Sequence, residues 1–409
     1  MRRGHTPDKN RVRTNPTGTG EIMDEKTLLL AIIRHMIMGQ PEEIPEIQPA
    51  ECEALLRLAD RHDLGHIVSY WIERNRAPAD EEQLQVYRRS RRMAVFRETK
   101  QEYVRELLFR TFGEAGIPFI PMKGLCLRAL YPEGWMRTSG DLDVLVHEED
   151  LTRAVQVLVG QGFTTDGKRE YHDVVLCHSG VKVELHFTIC ENIEQMDQVL
   201  RRVWDYTEYV DGTQYRETDA FFLFHHIAHM CYHFKEGGCG VRALIDLCLM
   251  RRAGMCGGDE LTELLRQSGL LIFYETVCRL SAVWFDGAVH DDDTEAMEQY
   301  VLSGGIYGSI ENRSAVAAGQ KRGRLSFLLR RIFPGVPYMK ARYPVLNRSR
   351  AAILLLPFLY VYRGFETVCG KKRSHIGDAI SEYKYIRYVE QDKIDATARL
   401  MKAVGLEWL

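Results

Sequence analysis

No run of apolar residues in this 409-residue chain approaches the roughly 20 needed to span a bilayer. The longest, Ala351 to Tyr362, is interrupted by Pro357 and reads as a buried helix. The first 22 residues lack any apolar run and are rich in Arg, Thr, Pro and Gly, which excludes the hydrophobic region of a signal peptide and predicts a disordered tail over 1–22. Ten cysteines are scattered without a Cys-x-x-Cys pair or a framework spacing, and a chain of this length needs no disulfide staples. Reduced thiols and a cytoplasmic location are the expectation. Neither G-x-G-x-x-G nor G-x-x-x-x-G-K-[ST] occurs, so the dinucleotide fingerprint and the P-loop are excluded. The net charge of −3 makes no global argument for nucleic acid or membrane. One local absence stands out: from Asn312 to Phe365 there is no Asp and no Glu.

What is present reads as an ordinary soluble protein, 45% apolar and 27% charged. Apolar residues recur at helical spacing from Met23 to Asp63 (Leu28, Leu29, Ile32, Ile33, Met36, then Leu55, Leu56, Leu58). A longer helix is expected over Glu81–Phe112, with Phe96, Tyr103, Val104, Leu107, Leu108 and Phe112 on one face and Gly113 as its cap. Strands follow from Ile117 into a glycine turn at Lys123-Gly124, at Asp141–Val146, near Phe163, at Val174–Leu176 and at Val181–His186, with a helix over Glu148–Val159 and a hairpin turn at Ser179-Gly180. Beyond Cys190 the pattern reads as helical, ending in an amphipathic helix over Ile380–Val404. The fold class is α+β: a small mixed β-sheet flanked by N- and C-terminal helical regions. The expected divisions are the tail (1–22), a helical region (23–90), the α/β core (91–190), a helical domain (191–310) and a basic, then helical, C-terminal region (311–409).

Side chains alternate along a strand, so Asp141 and Asp143 point the same way, about 6.6 Å apart, while Leu142, Val144 and Val146 point into a core. Glu184 lies on the polar face of its strand with Lys182 and His186, opposite Val181, Val183 and Leu185. If the two strands are neighbours, three carboxylates meet. Clustered anions repel unless a cation sits among them, and oxygen ligands of this kind suit Mg²⁺ together with substrate phosphates. This is the donor set of two-metal phosphoryl or nucleotidyl transfer. The competing reading is an exposed acid pair at a strand end, satisfied by water.

Lys123-Gly124, the run Arg137–Val146 (Arg-Thr-Ser-Gly-Asp-Leu-Asp-Val-Leu-Val) and Val183-Glu184-Leu185-His186 resemble a bacterial, uncharacterised nucleotidyltransferase family of the DNA polymerase beta superfamily. The resemblance implies metal-dependent transfer of a nucleoside monophosphate from an NTP, with ATP as the expected donor, to an unidentified hydroxyl acceptor, releasing pyrophosphate. It implies Asp141, Asp143 and Glu184 as catalytic residues and ligands of two Mg²⁺ ions, with Mn²⁺ as a substitute. Lys123 and the amide of Gly124 would contact phosphate, and Arg137 would steady the acids or contact substrate. His229 or His233 would reach phosphate from a following helix. Two departures from the family pattern are Leu125 after Gly124, where Ser or Gly is usual, and a long interval between Gly124 and Asp141.

His225, His229 and His233 are spaced four apart and share one helix face, either as a histidine-lined interface or as ligands of a transition metal. The acid-free stretch 312–365 carries eleven Lys and Arg residues. It can pack against Asp291–Asp293, hold a nucleic acid, or dock on anionic lipid through Phe327, Leu328, Leu329, Ile332 and Phe333. A rival to catalysis is a silent nucleotide-binding scaffold that recruits an anionic partner through 312–365. Another is a phosphotransferase moving the γ-phosphate.

Overall fold

The structure is a computed structural model. It describes residues 24–42, 44, 47–77, 80–169, 172–255, 257–306, 308–319, 333, 335–336, 339, 343–347, 350–369 and 389–409. The expected tail, the apolar positions 327–332 and the start of the helix expected from Ile380 lie outside the described residues. Two units are formed. One takes the described residues up to Glu98 with Tyr131–Thr138, and the other takes Thr99–Leu130 and those from Ser139 onward.

In the first unit, helices Glu25–Met36, Pro49–Arg61 and Gly65–Asn75 bury Leu29, Ile32, Leu55 and Val68. Their starts are locally encoded. The Asp24 carboxylate accepts from the Thr27 amide at 2.7 Å, and Gln48 with Glu51 forms a reciprocal capping box around Pro49, the first helical residue.

The second unit holds a seven-stranded mixed sheet: β1 (Phe119–Pro121), β2 (Asp141–Val146), β3 (Thr164–Arg169), β4 (Asp173–His178), β5 (Val181–His186), β6 (Thr207–Asp211) and β7 (Gln214–Glu217), in the order β3-β4-β5-β2-β1-β7-β6. The fold is therefore α+β, with a sheet larger than the small one expected. β2 and β5 are parallel; β1–β2, β3–β4, β4–β5 and β6–β7 are antiparallel. The β4–β5 turn is the expected one: Ser179 and Gly180 both have positive φ, 52° and 76°, as a two-residue hairpin loop requires.

Period two decides the two faces. Leu142, Val144, Val146, Val183 and Leu185 pack with Val104, Leu108 and Phe112 of helix Glu81–Ala115 and with Leu151 and Leu158 around helix Leu151–Gly160. The other face of β2 and β5 carries the acids. Burial of one face fixes register, because a one-residue slip would turn the acids into that core.

Three sequence expectations are corrected. The long helix runs through Gly113 to Ala115 and ends at Gly116 (φ 62°), where the Ile117 amide donates back to the Phe112 carbonyl at 3.0 Å, a Schellman-type stop. Phe96 and Tyr103 on that helix are exposed, whereas Val104, Leu108 and Phe112 are fully buried. The Ala351–Tyr362 run is a 3-10 turn, Arg350–Leu355, leading into helix Leu356–Cys369, and much of it faces solvent. Among the described residues, no helix is long and apolar enough to cross a membrane.

Candidate active site

The β2–β5 register places Asp143 directly beside Glu184 and Asp141 beside Lys182. Donor atoms of Asp143, Glu184 and His186 lie within 4.8 Å of one another, the one group of three or more such side chains among the described residues that could hold a metal ion. His186 Nε2 is 3.0 Å from Asp143 Oδ1 and 3.6 Å from Glu184 Oε2. Lys123 Nζ is 3.4 Å from Asp143 Oδ1. The Lys182 ammonium is hydrogen-bonded to Glu184 and lies 3.8 Å from Asp141 Oδ2.

These contacts set the protonation states. Burial raises the Asp143 carboxyl, but the Lys123 charge and the His186 hydrogen bond outweigh it and hold the acid well below its ordinary range. The close approach of His186 at 3.6 Å, against the cost of burial and with help from the Lys182 hydrogen bond, holds Glu184 at about 2. Asp141 moves the other way: burial and the neighbouring charges of Asp143 and Glu184 raise it. Burial opposes the Lys123 ammonium, yet the carboxylates of Asp143, Glu191, Glu184 and Asp141 raise its pKa. His186 is likewise raised, its burial outweighed by Asp143 and Glu184.

Lys123 sits between β1 and the four-residue helix Gly124–Leu127 with φ 46° and ψ −116°, a region that non-glycine residues rarely enter. A side chain held in such a conformation is over-determined by its surroundings, here the carboxylates that its ammonium meets. The Met122 amide donates to the Asp143 carbonyl at 3.0 Å and ties this turn to β2. The amides of Leu125, Cys126 and Leu127 are taken by the Met122 and Lys123 carbonyls, which narrows the expected phosphate contact to the amide of Gly124.

A second network sets the start of β2. The Arg128 guanidinium donates to Gln101 Oε1 at 2.6 Å and to Ser139 Oγ at 2.8 Å, and Ser139 Oγ donates to the Asp141 carbonyl at 3.2 Å. Arg137 stands at the C-cap of the 3-10 turn Gly134–Met136 in the other unit.

A cavity of about 170 Å³ adjoins the acids, lined by Lys123, His172, His186, Glu191, His229 and Tyr232 among others. That is below the roughly 300–1,000 Å³ of sites that enclose whole small molecules, so it suits a phosphate end of a larger ligand. His229 comes from helix Asp219–Lys235, whose Thr218 cap accepts from the Phe221 amide. Its Nδ1 lies 2.8 Å from Glu191 Oε1, and its Nε2 lies 3.1 Å from His233 Nε2. His225, fully buried, pairs instead with Glu217 at 3.1 Å. The stripe thus splits between two carboxylates and forms no cluster of three ligands among the described residues.

Of the residues singled out in the sequence, the structure brings Lys123, Asp143 and Glu184 together, with Asp141 on the same face and His229 in the adjoining cavity. The sequence reading missed two. His186 shares the Glu184 face by simple alternation, a signal that was present. Glu191 lies in the loop between β5 and helix Glu194–Leu200, where no periodicity exists to point at it. No curated protein and no solved structure matches this chain. A family model described as an uncharacterised nucleotidyltransferase matches residues 48–286, more than half of the chain and the whole of the sheet that carries the acids, so the chain belongs to that nucleotidyltransferase family.

Proposed function

We propose that the protein moves a nucleoside monophosphate from an NTP, expected to be ATP, to a hydroxyl acceptor with release of pyrophosphate. The observation that carries this reading is the parallel β2–β5 register, which sets Asp143 and Glu184 side by side within a chain of this family. The donor set fits a divalent ion: two ionised carboxylates, a third acid two residues away on the same face, and an imidazole, all beside a cavity of phosphate size. Mg²⁺, or Mn²⁺ in its place, bound as a pair of ions by Asp141, Asp143 and Glu184 would neutralise the triphosphate and acidify the acceptor hydroxyl.

The chain's own groups divide the remaining work. Lys123 leaves Asp143 for a phosphate oxygen and stabilises charge developing at the α-phosphorus, together with the amide of Gly124. Glu184 would hold the second ion and take the acceptor proton. His229 and His233 approach the phosphates from the helix side. Arg137 is assigned to nucleotide on its place four residues before the acid pair in the sequence. Eight of the ten cysteines are free in the structure, and the cytoplasmic setting is proposed on the sequence alone.

A second reading has one observation in its favour. Asp143, Glu184 and Asp141 already have cationic neighbours in Lys123, His186 and Lys182, so the cluster can rest without ions as part of a silent scaffold that recruits an anionic partner through 312–365. Incubating the parent and Asp143→Asn with each α-labelled NTP, Mg²⁺ and cell extract decides between them. Transfer of label by the parent alone supports the enzyme; equal blanks support the scaffold. Release of pyrophosphate separates nucleotidyl transfer from γ-phosphate transfer, which yields ADP from ATP.

A further inference from the structure

Helix Leu356–Cys369 and the 3-10 turn before it present apolar side chains to solvent. Leu354 is 75% exposed, Phe358 73% and Val361 65%, with Leu355 and Tyr362 also exposed. Within the helix, positions 358, 361 and 362 lie three and four apart and share one face, and Leu354 and Leu355 add apolar area from the turn before it. Phe333, half exposed, meets the ring of Tyr360 edge-on at 5.3 Å and extends the apolar area. A stripe of this size on a soluble protein's surface marks something that covers it.

The sequence around the stripe indicates the kind of partner. It sits inside 312–365, which has eleven basic residues and no acid, with Arg348 and Arg350 just before it and Arg363 just after. Two copies of this chain meeting face to face would bring like charges together, which opposes self-association. A nucleic acid would satisfy the charge and leave the apolar stripe in water. An anionic bilayer satisfies both: the stripe enters the acyl boundary while the cations lie among the headgroups.

We propose that the face formed by residues 350–363 docks on an anionic lipid bilayer, lying in the interface without crossing it. The docking needs neither NTP nor ion and stands apart from the transfer reaction. Pro357, near the start of helix Leu356–Cys369, is suited to this position because its missing N–H is one of those that a helix start leaves unpaired.

Vesicle flotation of the full chain tests it, using phosphatidylcholine alone and phosphatidylcholine with about a quarter phosphatidylglycerol. The expected result is flotation with the anionic vesicles only, weakening as salt is raised. Phe358→Asp with Val361→Asp should abolish flotation without changing the melting temperature, since both residues are exposed. Should that variant melt early, Arg350→Gln with Arg363→Gln, inside the proposed face, carries the test, with binding weakened about fivefold per arginine removed. Parent protein that stays down with anionic vesicles, or floats equally with neutral ones, overturns the proposal. So does a concentration-dependent dimer, lost in Phe358→Asp, in a parent that binds no vesicles; that result assigns the face to a second copy.

Discussion

Glu191 offers the sharpest quantitative test of the site's electrostatics, because its carboxylate is almost enclosed (9% exposed) and has a definite partner, His229 Nδ1 at 2.8 Å. Burial alone would raise its pKa; the charges of His229, Lys123 and His225, with the His229 hydrogen bond, bring it from 4.5 down to about 2. That lowering corresponds to about 3 kcal/mol of folding stability. A depressed folded-state pKa means that this stability is present above 4.5 and is lost as pH falls through 2. Glu191→Gln removes the charge and keeps the shape. Urea unfolding at pH 5.5, above the carboxylate window, should show the variant less stable by about 3 kcal/mol. At pH 3 the unfolded carboxyl is protonated and the folded one mostly ionised, so the gap should shrink to less than half of its value at pH 5.5. An equal gap at the two pH values, or no gap at pH 5.5, would refute the assignment of Glu191 as an ionised anchor for His229 and Lys123.

Other perturbations separate scaffold from chemistry. Leu185→Ala, at a fully buried position in the core behind Glu184, should cost about 2–5 kcal/mol in urea unfolding. Gly180→Ala should lower stability by about 1 kcal/mol, read as a drop in melting temperature, because φ is 76° there while the added Cβ meets Lys100 Nζ at an ordinary 3.5 Å. Lys123→Ala should reduce turnover about 10²–10³-fold with Mn²⁺ binding retained, as expected for a group that stabilises developing charge; full activity would remove Lys123 from the mechanism.

The parts of the fold that could be read from the chain are those where one face is buried and the other is not. Val144 and Leu185 alternate with Asp143 and Glu184, so period two located β2 and β5 and predicted which side the acids take. The Ser179-Gly180 pair located the hairpin because its backbone conformation needs such residues. β6 and β7 escaped because neither has a buried face: Tyr209 and Val210 are both exposed, and only Glu217 of β7 is buried. The Gly212-Thr213 pair between them, with φ 54° at Gly212, was the available hairpin signal. Gly113 reads as a helix stop in place of Gly116 because composition alone does not reveal which glycine adopts positive φ. Phe96 and Tyr103 misled for a related reason, since helical spacing says which residues share a face and leaves open whether another element covers it. Within the site, alternation reached Asp143 and Glu184, while the β2–β5 neighbour relation, the unusual backbone of Lys123 and the Glu191–His229 pair are tertiary facts with no local imprint.

The central claim is that Asp143 and Glu184, joined by the β2–β5 register, hold a divalent ion. Electron paramagnetic resonance of free Mn²⁺ titrated with protein measures this directly, with no need to know the acceptor. The account predicts that the parent depletes the free Mn²⁺ signal and that Asp143→Asn and Glu184→Gln each bind at least about 100-fold more weakly. Binding by the parent no tighter than by the two variants would contradict it.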